Sequence, residues 1–153
     1  PYLHGIYAPT THELTADNLL VEGELPADLV GAYFRNGPNP LLPPMNRYHP
    51  FDGDGMVHGV YFKDGAVSYR NRYVQTSALQ NEQSNGKSIS PGVMGPFDYS
   101  VSRFGIKDTS NTDVFCFGGD LVSLWYNAGD PYRLNPMSLE TKSQFANQIS
   151  GDV

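Results

Sequence analysis

Between Arg35 and Gly59 the chain leaves its backbone few choices. The segment reads Arg35-Asn36-Gly37-Pro38-Asn39-Pro40, then Tyr48-His49-Pro50-Phe51-Asp52-Gly53-Asp54-Gly55-Met56-Val57-His58-Gly59. Prolines on both sides of Asn39 fix φ and remove backbone donors, so residues 37–44 form a built loop, neither helix nor central strand. The glycines at 53, 55 and 59 permit positive φ or close backbone approach, and Asp52 and Asp54 can cap turn amides through their side chains. Two readings compete for Asp52-Gly53-Asp54-Gly55. Alternating Asp and Gly can bring oxygens to calcium, although the downstream bidentate acid of an EF-hand is missing. The plainer reading has both carboxylates hydrogen-bonded to neighbouring amides in a tight turn.

Elsewhere the pattern is that of an all-β chain. With 16 Gly, 12 Pro, 17% charged and 12% aromatic residues, the composition is rich in turn and strand formers, and no long helical period runs through it. Residues 1–18 read as an extended surface arm holding His4 and His12 in solvent. Residues 19–23 alternate apolar and polar only briefly, and Pro26 suits the start of a single helical turn. A strand over 31–36 leads into the proline loop. Residues 57–62 and 66–76 are strands around Lys63-Asp64-Gly65, and 114–117 and 121–126 are strands around Gly118-Gly119-Asp120, two hairpins. In 66–76 Arg70 and Arg72 share one face, which should be wet or paired with acids. Residues 132–136 and 138–141 suit a further strand and its turn. The polar stretch 80–105 is a long loop with one short helix around 80–85, and Phe97, Tyr99, Val101 and Phe104 give it an apolar side.

At 153 residues the chain can form one domain with a core. Its formal charge of -6, with scattered basic residues, argues against a nucleic-acid surface. Cys116 is the only cysteine, which excludes an intramolecular disulfide and a cysteine metal site; it reads as an apolar filler beside Phe115 and Phe117. A reducing cytoplasm fits this usage. No apolar run approaches the roughly 20 residues of a membrane span. The chain starts at Pro1 with no recognisable leader, so its native terminus is expected to lie further upstream.

Arg35–Pro40, Tyr48–Phe62, Gly65–Thr76 and the later block from Asp108 to Thr141 together resemble the N-terminal part of the carotenoid cleavage oxygenases, including their lignostilbene-cleaving relatives. The resemblance covers nearly the whole chain. It implies a seven-bladed β-propeller, of which residues 1–153 would be the N-terminal arm and first blades, a fragment of a single domain. It also implies a non-haem ferrous iron on the propeller axis and dioxygen-dependent cleavage of an alkene in an apolar conjugated substrate: a carotenoid, apocarotenoid, stilbene or phenylpropene. The sequence from Tyr126 to Arg133 favours the last two.

By the same resemblance the iron ligands lie outside this chain. The spacing of His4, His12, His49 and His58 independently offers no way to bring all four to one ion. Phe51 corresponds to a cavity-lining phenylalanine, and its flat apolar ring suits a conjugated substrate. Tyr99 and Lys107 are weaker substrate-binding candidates, Lys107 being expected in solvent. The family places near Tyr126-Asn127 a carboxylate that accepts a hydrogen bond from an iron-bound histidine. Here Asn127 could accept through its amide oxygen. Arg35, Asn36, Asp52, Asp54 and His58 are expected to build the fold, Arg35 through an ion pair or a carbonyl clamp and His58 through a ring hydrogen bond beneath the loops. Expected partners are the apolar substrate, dioxygen, the remainder of the propeller and, through the 80–105 loop, a membrane surface. Two other functions fit parts of the pattern: a non-catalytic β-module that binds an apolar ligand or partner chain, and a calcium-binding β-domain built on the Asp-Gly turn.

Overall fold

In a computed structural model, which describes residues 2–126 and 129–145, the chain forms two four-stranded antiparallel sheets joined by a helix and a long loop. The first sheet contains β1 (Thr15–Ala16), β2 (Gly31–Pro38), β3 (Gly55–Lys63) and β4 (Ala66–Tyr73) in the order β1-β4-β3-β2. After helix α1 (Ser77–Asn85), the second sheet is a meander of β5 (Asp113–Phe117), β6 (Asp120–Leu124), β7 (Tyr132–Leu134) and β8 (Thr141–Gln144).

Both hairpins follow from their turn residues. Lys63 pairs with Ala66 and Phe117 with Asp120, leaving loops of Asp64-Gly65 and Gly118-Gly119. All four loop residues have positive φ, at 51°, 73°, 58° and 84°. That is the turn whose twist matches paired strands. Lys63 and Asp120, read from sequence as loop residues, are already strand. Pro38 closes β2, and β2 is an edge strand, where a missing donor costs no ladder bond.

β3 is buried on both faces. Val57 packs with Val74, Leu121, Tyr132, Leu134 and Leu139 in the main core between the sheets, with Phe34 and Val114 against it. Met56, on the opposite face, packs with Tyr73 and Leu79 under α1, with Leu41 beside them. Fully burying each aliphatic side chain of this kind stabilises the fold by roughly 1.5–3 kcal/mol. Polar ties also join the sheets. Asn36 donates through Nδ2 to the carbonyls of Ser110 (2.8 Å) and Asp113 (3.0 Å), and Tyr61 donates to the Pro136 carbonyl at 2.7 Å. Asn36→Ala should therefore cost about 1–3 kcal/mol, chiefly by leaving the part-buried Ser110 carbonyl without this donor. A shift in the denaturation midpoint at unchanged slope checks this, and Asn36→Asp, which lacks the donor, should not restore it.

Several expectations are corrected. The N-terminal arm is more than surface chain: Thr15 and Ala16 pair with Arg70 and Tyr69 to give the first sheet its outer strand. The brief alternation over 19–23 stays outside the strands, although Leu19 N donates to the Val67 carbonyl at 2.8 Å. α1 begins at Ser77 rather than near 80, because Thr76 caps it by accepting from Leu79 N at 3.1 Å, and Gly86 ends it in the left-handed conformation. Cys116 is exposed, with Phe115 and Phe117 beside it exposed as well. β5 is an edge strand, and only Val114 of this run turns into the core. The face carrying Arg70 and Arg72 meets acids as expected, with Asp17 at 3.7 Å and Glu13 at 3.8 Å.

Candidate substrate-facing site

Past Pro38 the chain loops out and returns through a 3-10 turn, Pro50–Asp52, built by its own residues. Pro50 opens it, His49 Nδ1 accepts from Phe51 N at 3.1 Å, and Asp52 Oδ2 accepts from His49 N at 2.9 Å, a reciprocal cap. The other Asp52 oxygen accepts from Val93 N at 2.8 Å, so one carboxylate holds both the turn and the long loop. Phe51 is left half exposed, its ring edge-on to His49 at 4.7 Å between centroids.

A polar segment, residues 109–112, clamps this turn from below. The Phe51 carbonyl accepts from Thr109 Oγ1 (3.2 Å) and from Asn111 Nδ2 (3.0 Å). Asn111 Nδ2 also donates to the Gly53 carbonyl at 2.6 Å, and Gly55 N donates to the Thr109 carbonyl at 2.8 Å. The approach explains Gly55, since a Cβ there would lie 2.8 Å from that carbonyl oxygen. Thr109, Ser110 and Asn111 are all buried. From sequence, residues 108–112 read only as a polar turn; nothing in that composition signals that Thr109, Ser110 and Asn111 spend their hydrogen bonds inside.

Asp54 behaves differently from Asp52. Its Oδ2 accepts from Leu41 N at 3.0 Å, and its Oδ1 lies 2.7 Å from Lys107 Nζ. Lys107 Nζ is also 2.7 Å from Glu82 Oε2, while Glu82 Oε1 accepts from Ile89 N and Ser90 N. All three side chains are buried, Lys107 being only 7% exposed, which corrects its expected place in solvent. Burial alone would lower the ammonium pKa, yet the two carboxylates raise it. Burial pushes Asp54 up, and Lys107 opposes that push. The triad joins the turn, α1 and the long loop, and faces inward.

Next to Lys107, Asp108 accepts from the Tyr132 hydroxyl at 3.1 Å, and burial pushes its carboxyl up to about 6. Tyr48 beside the turn is pushed up to about 12 by burial and by the Asp52 and Asp54 charges. Of the remaining candidates, Tyr99 is 67% exposed, with Phe97 edge-on to it. His58 Nδ1 meets the Tyr69 hydroxyl at 2.7 Å on the neighbouring strand rather than under a loop, and burial lowers its pKa. Arg35 is exposed beside His58 and lines a cavity of about 380 Å³ with Tyr7 and Tyr48. It makes no ion pair or carbonyl clamp among the described residues. Asn127 lies outside the described residues; its neighbour Tyr126 is exposed, with its N–H donated to Thr112 Oγ1 at 3.0 Å.

Among the described residues no three His, Cys, Asp or Glu side chains converge where they could hold a metal. His49 and His58 each have Nδ1 engaged, and the oxygens of Asp52 and Asp54 face amides and an ammonium. The described residues do not make a cradle for iron. Among them, no helix is long and apolar enough to cross a membrane.

A mostly β chain of two antiparallel sheets, with one aromatic ring held half exposed on a rigid turn at the sheet ends, suits the binding of a flat apolar molecule. Comparison with known proteins narrows this. Residues 7–151 match the family model described as retinal pigment epithelial membrane protein (RPE65). Resveratrol cleavage oxygenase 1 of Aspergillus fumigatus is 34% identical over 95% of this chain and 29% of its own length. Isoeugenol monooxygenase of Pseudomonas nitroreducens is 34% identical over 95% of the chain and 30% of its own length. The crystal structure of Pseudomonas brassicacearum lignostilbene dioxygenase superposes with a TM-score of 0.86 at 35% identity, over 97% of this chain and 32% of that one. The chain belongs to the RPE65 family, the carotenoid oxygenase family, and spans about a third or less of the length of these relatives.

Proposed function

We propose that residues 1–153 are the N-terminal third of an alkene-cleaving dioxygenase, the first part of a seven-bladed propeller. The likeness to the lignostilbene dioxygenase across 97% of the chain carries this reading. A ferrous iron, held by residues outside this chain, would supply the dioxygen chemistry that turns one C=C bond into two carbonyl products. This chain supplies part of the substrate wall. Phe51 packs on the conjugated system, and the clamp beneath it keeps the ring in place without offering a competing nucleophile. The exposed edges β2 and β5, with Tyr33, Phe115 and Phe117, are where the rest of the propeller would pack. Stilbenes and phenylpropenes lead carotenoids as substrates, because the relatives that cover 95% of the chain are named for resveratrol and isoeugenol.

The test uses the full-length, iron-loaded protein with resveratrol, isoeugenol and an apocarotenal, following the carbonyl products and oxygen uptake. Cleavage of one of them is expected. Phe51→Ala should raise KM for that substrate roughly tenfold with kcat little changed, since it removes apolar contact made equally before and during reaction. An unchanged KM would remove Phe51 from the site; absence of cleavage with all three would sink the oxygenase reading.

A further inference from the structure

We propose that Asn111 is a positioning residue that fixes the spacing between two exposed aromatic side chains, Phe51 and Tyr126, and thereby sets which substrate rings fit. The inference rests on the reading that Phe51 lines the substrate site. Asn111 is 4% exposed, and its amide bridges two elements. On one side Nδ2 donates to the carbonyls of Phe51 (3.0 Å) and Gly53 (2.6 Å). On the other, Oδ1 accepts from Thr112 Oγ1 at 3.3 Å, and the same hydroxyl oxygen accepts from Tyr126 N at 3.0 Å. Two carbonyls on one side and a hydroxyl on the other leave the amide one orientation, because a flipped group would set its oxygen against both carbonyls. Thr112 N donates to the Leu124 carbonyl at 2.9 Å, so the far end is anchored to β6.

The path from Phe51 to Tyr126 thus runs through the buried Asn111 and the exposed Thr112, whose backbone is tied to β6. Each end carries a ring that the fold does not bury, with Phe51 50% and Tyr126 72% exposed. This use of a buried amide, beyond clamping the turn, links it to a strand end, and the rings at both places stay outside the core. It is intelligible if the rings' separation matters to something bound between them. Shortening Asn111 lets the turn and the backbone at Tyr126 move apart, and displacements of about 1 Å are enough to change catalytic parameters strongly.

The test compares Asn111→Ala, Phe51→Ala, their combination and Asn71→Ala in the full-length protein, with resveratrol and isoeugenol as substrates. Asn71 is an equally buried asparagine that ties down the arm through Leu14 N and the His12 carbonyl, so its loss tests destabilisation alone. Asn111→Ala should raise KM for the larger ring system roughly tenfold, shift the preference between the two substrates, and add nothing in the Phe51→Ala background. Asn71→Ala should lower stability without altering that preference. The proposal is overturned by an unchanged preference in Asn111→Ala, by effects of Asn111 and Phe51 that multiply, or by the same shift in Asn71→Ala. A wild-type protein that cleaves neither substrate overturns it together with the oxygenase reading, whereas an active wild type with an unaltered Asn111→Ala variant overturns this inference alone.

Discussion

Lys107→Met will destabilise the protein by about 3–5 kcal/mol, the cost of leaving two buried carboxylates without their shared cation. Methionine keeps the apolar stem, so the loss reports the charge and not a cavity. Asp54 and Glu82 are 1% and 0% exposed and lie on separate elements, leaving neither able to turn to water. The deficit should be largest near pH 8. It should shrink in acid, since an unpaired buried carboxyl has its folded pKa raised and contributes stability that is lost as pH rises. Adding Asp54→Asn and Glu82→Gln to Lys107→Met should recover most of the loss, because both amide side chains still accept from Leu41, Ile89 and Ser90. Chemical denaturation of the three proteins from pH 5 to 8 measures this. A loss below about 1 kcal/mol for Lys107→Met would mean that water reaches the site in the folded protein.

The second large effect belongs to Asp108. Its carboxyl is raised by burial from 3.8 to about 6, so the folded state binds this proton more tightly than the unfolded chain does. The resulting stability is fully present below pH 4 and disappears as pH rises through 6. Relative to Asp108→Asn, the native protein should lose about 3 kcal/mol across that window, at 1.36 kcal/mol per pKa unit. The Asn variant retains an oxygen for the Tyr132 hydroxyl and should be the more stable protein at pH 7. The difference between the two stability curves isolates this group from other carboxylates, and a flat difference would disprove the assignment.

Local signals carried far in this sequence. Asp64-Gly65 and Gly118-Gly119 dictate both hairpins because positive φ at two successive positions is a backbone demand met by very few residue pairs. Arg70 and Arg72 found acids because strand periodicity puts them on one face. The sharp turn that leaves Phe51 half exposed was legible because Pro50, Asp52 and Gly53 around it are turn residues. What stayed hidden depended on distant partners. Lys107 looks like any loop lysine until Asp54 and Glu82 arrive from elsewhere in the chain. Asn111 sits in a run, Thr109 to Thr112, whose composition is identical to that of a solvated turn. Thr76 was missed as a helix cap because the three residues after it have no apolar period.

The outer strand β1 has a consequence for how the molecule comes to be built. Leu14 N and Asn71 Oδ1 are joined across 57 residues of chain, so the strand made early in synthesis waits for one made much later. The second sheet has no such delay, since each of its strands pairs with the next along the chain. Closing a long loop before any contact repays it slows assembly. β1 is therefore the last strand of its own sheet to dock, adding to a β3–β4 hairpin that closes over far fewer residues.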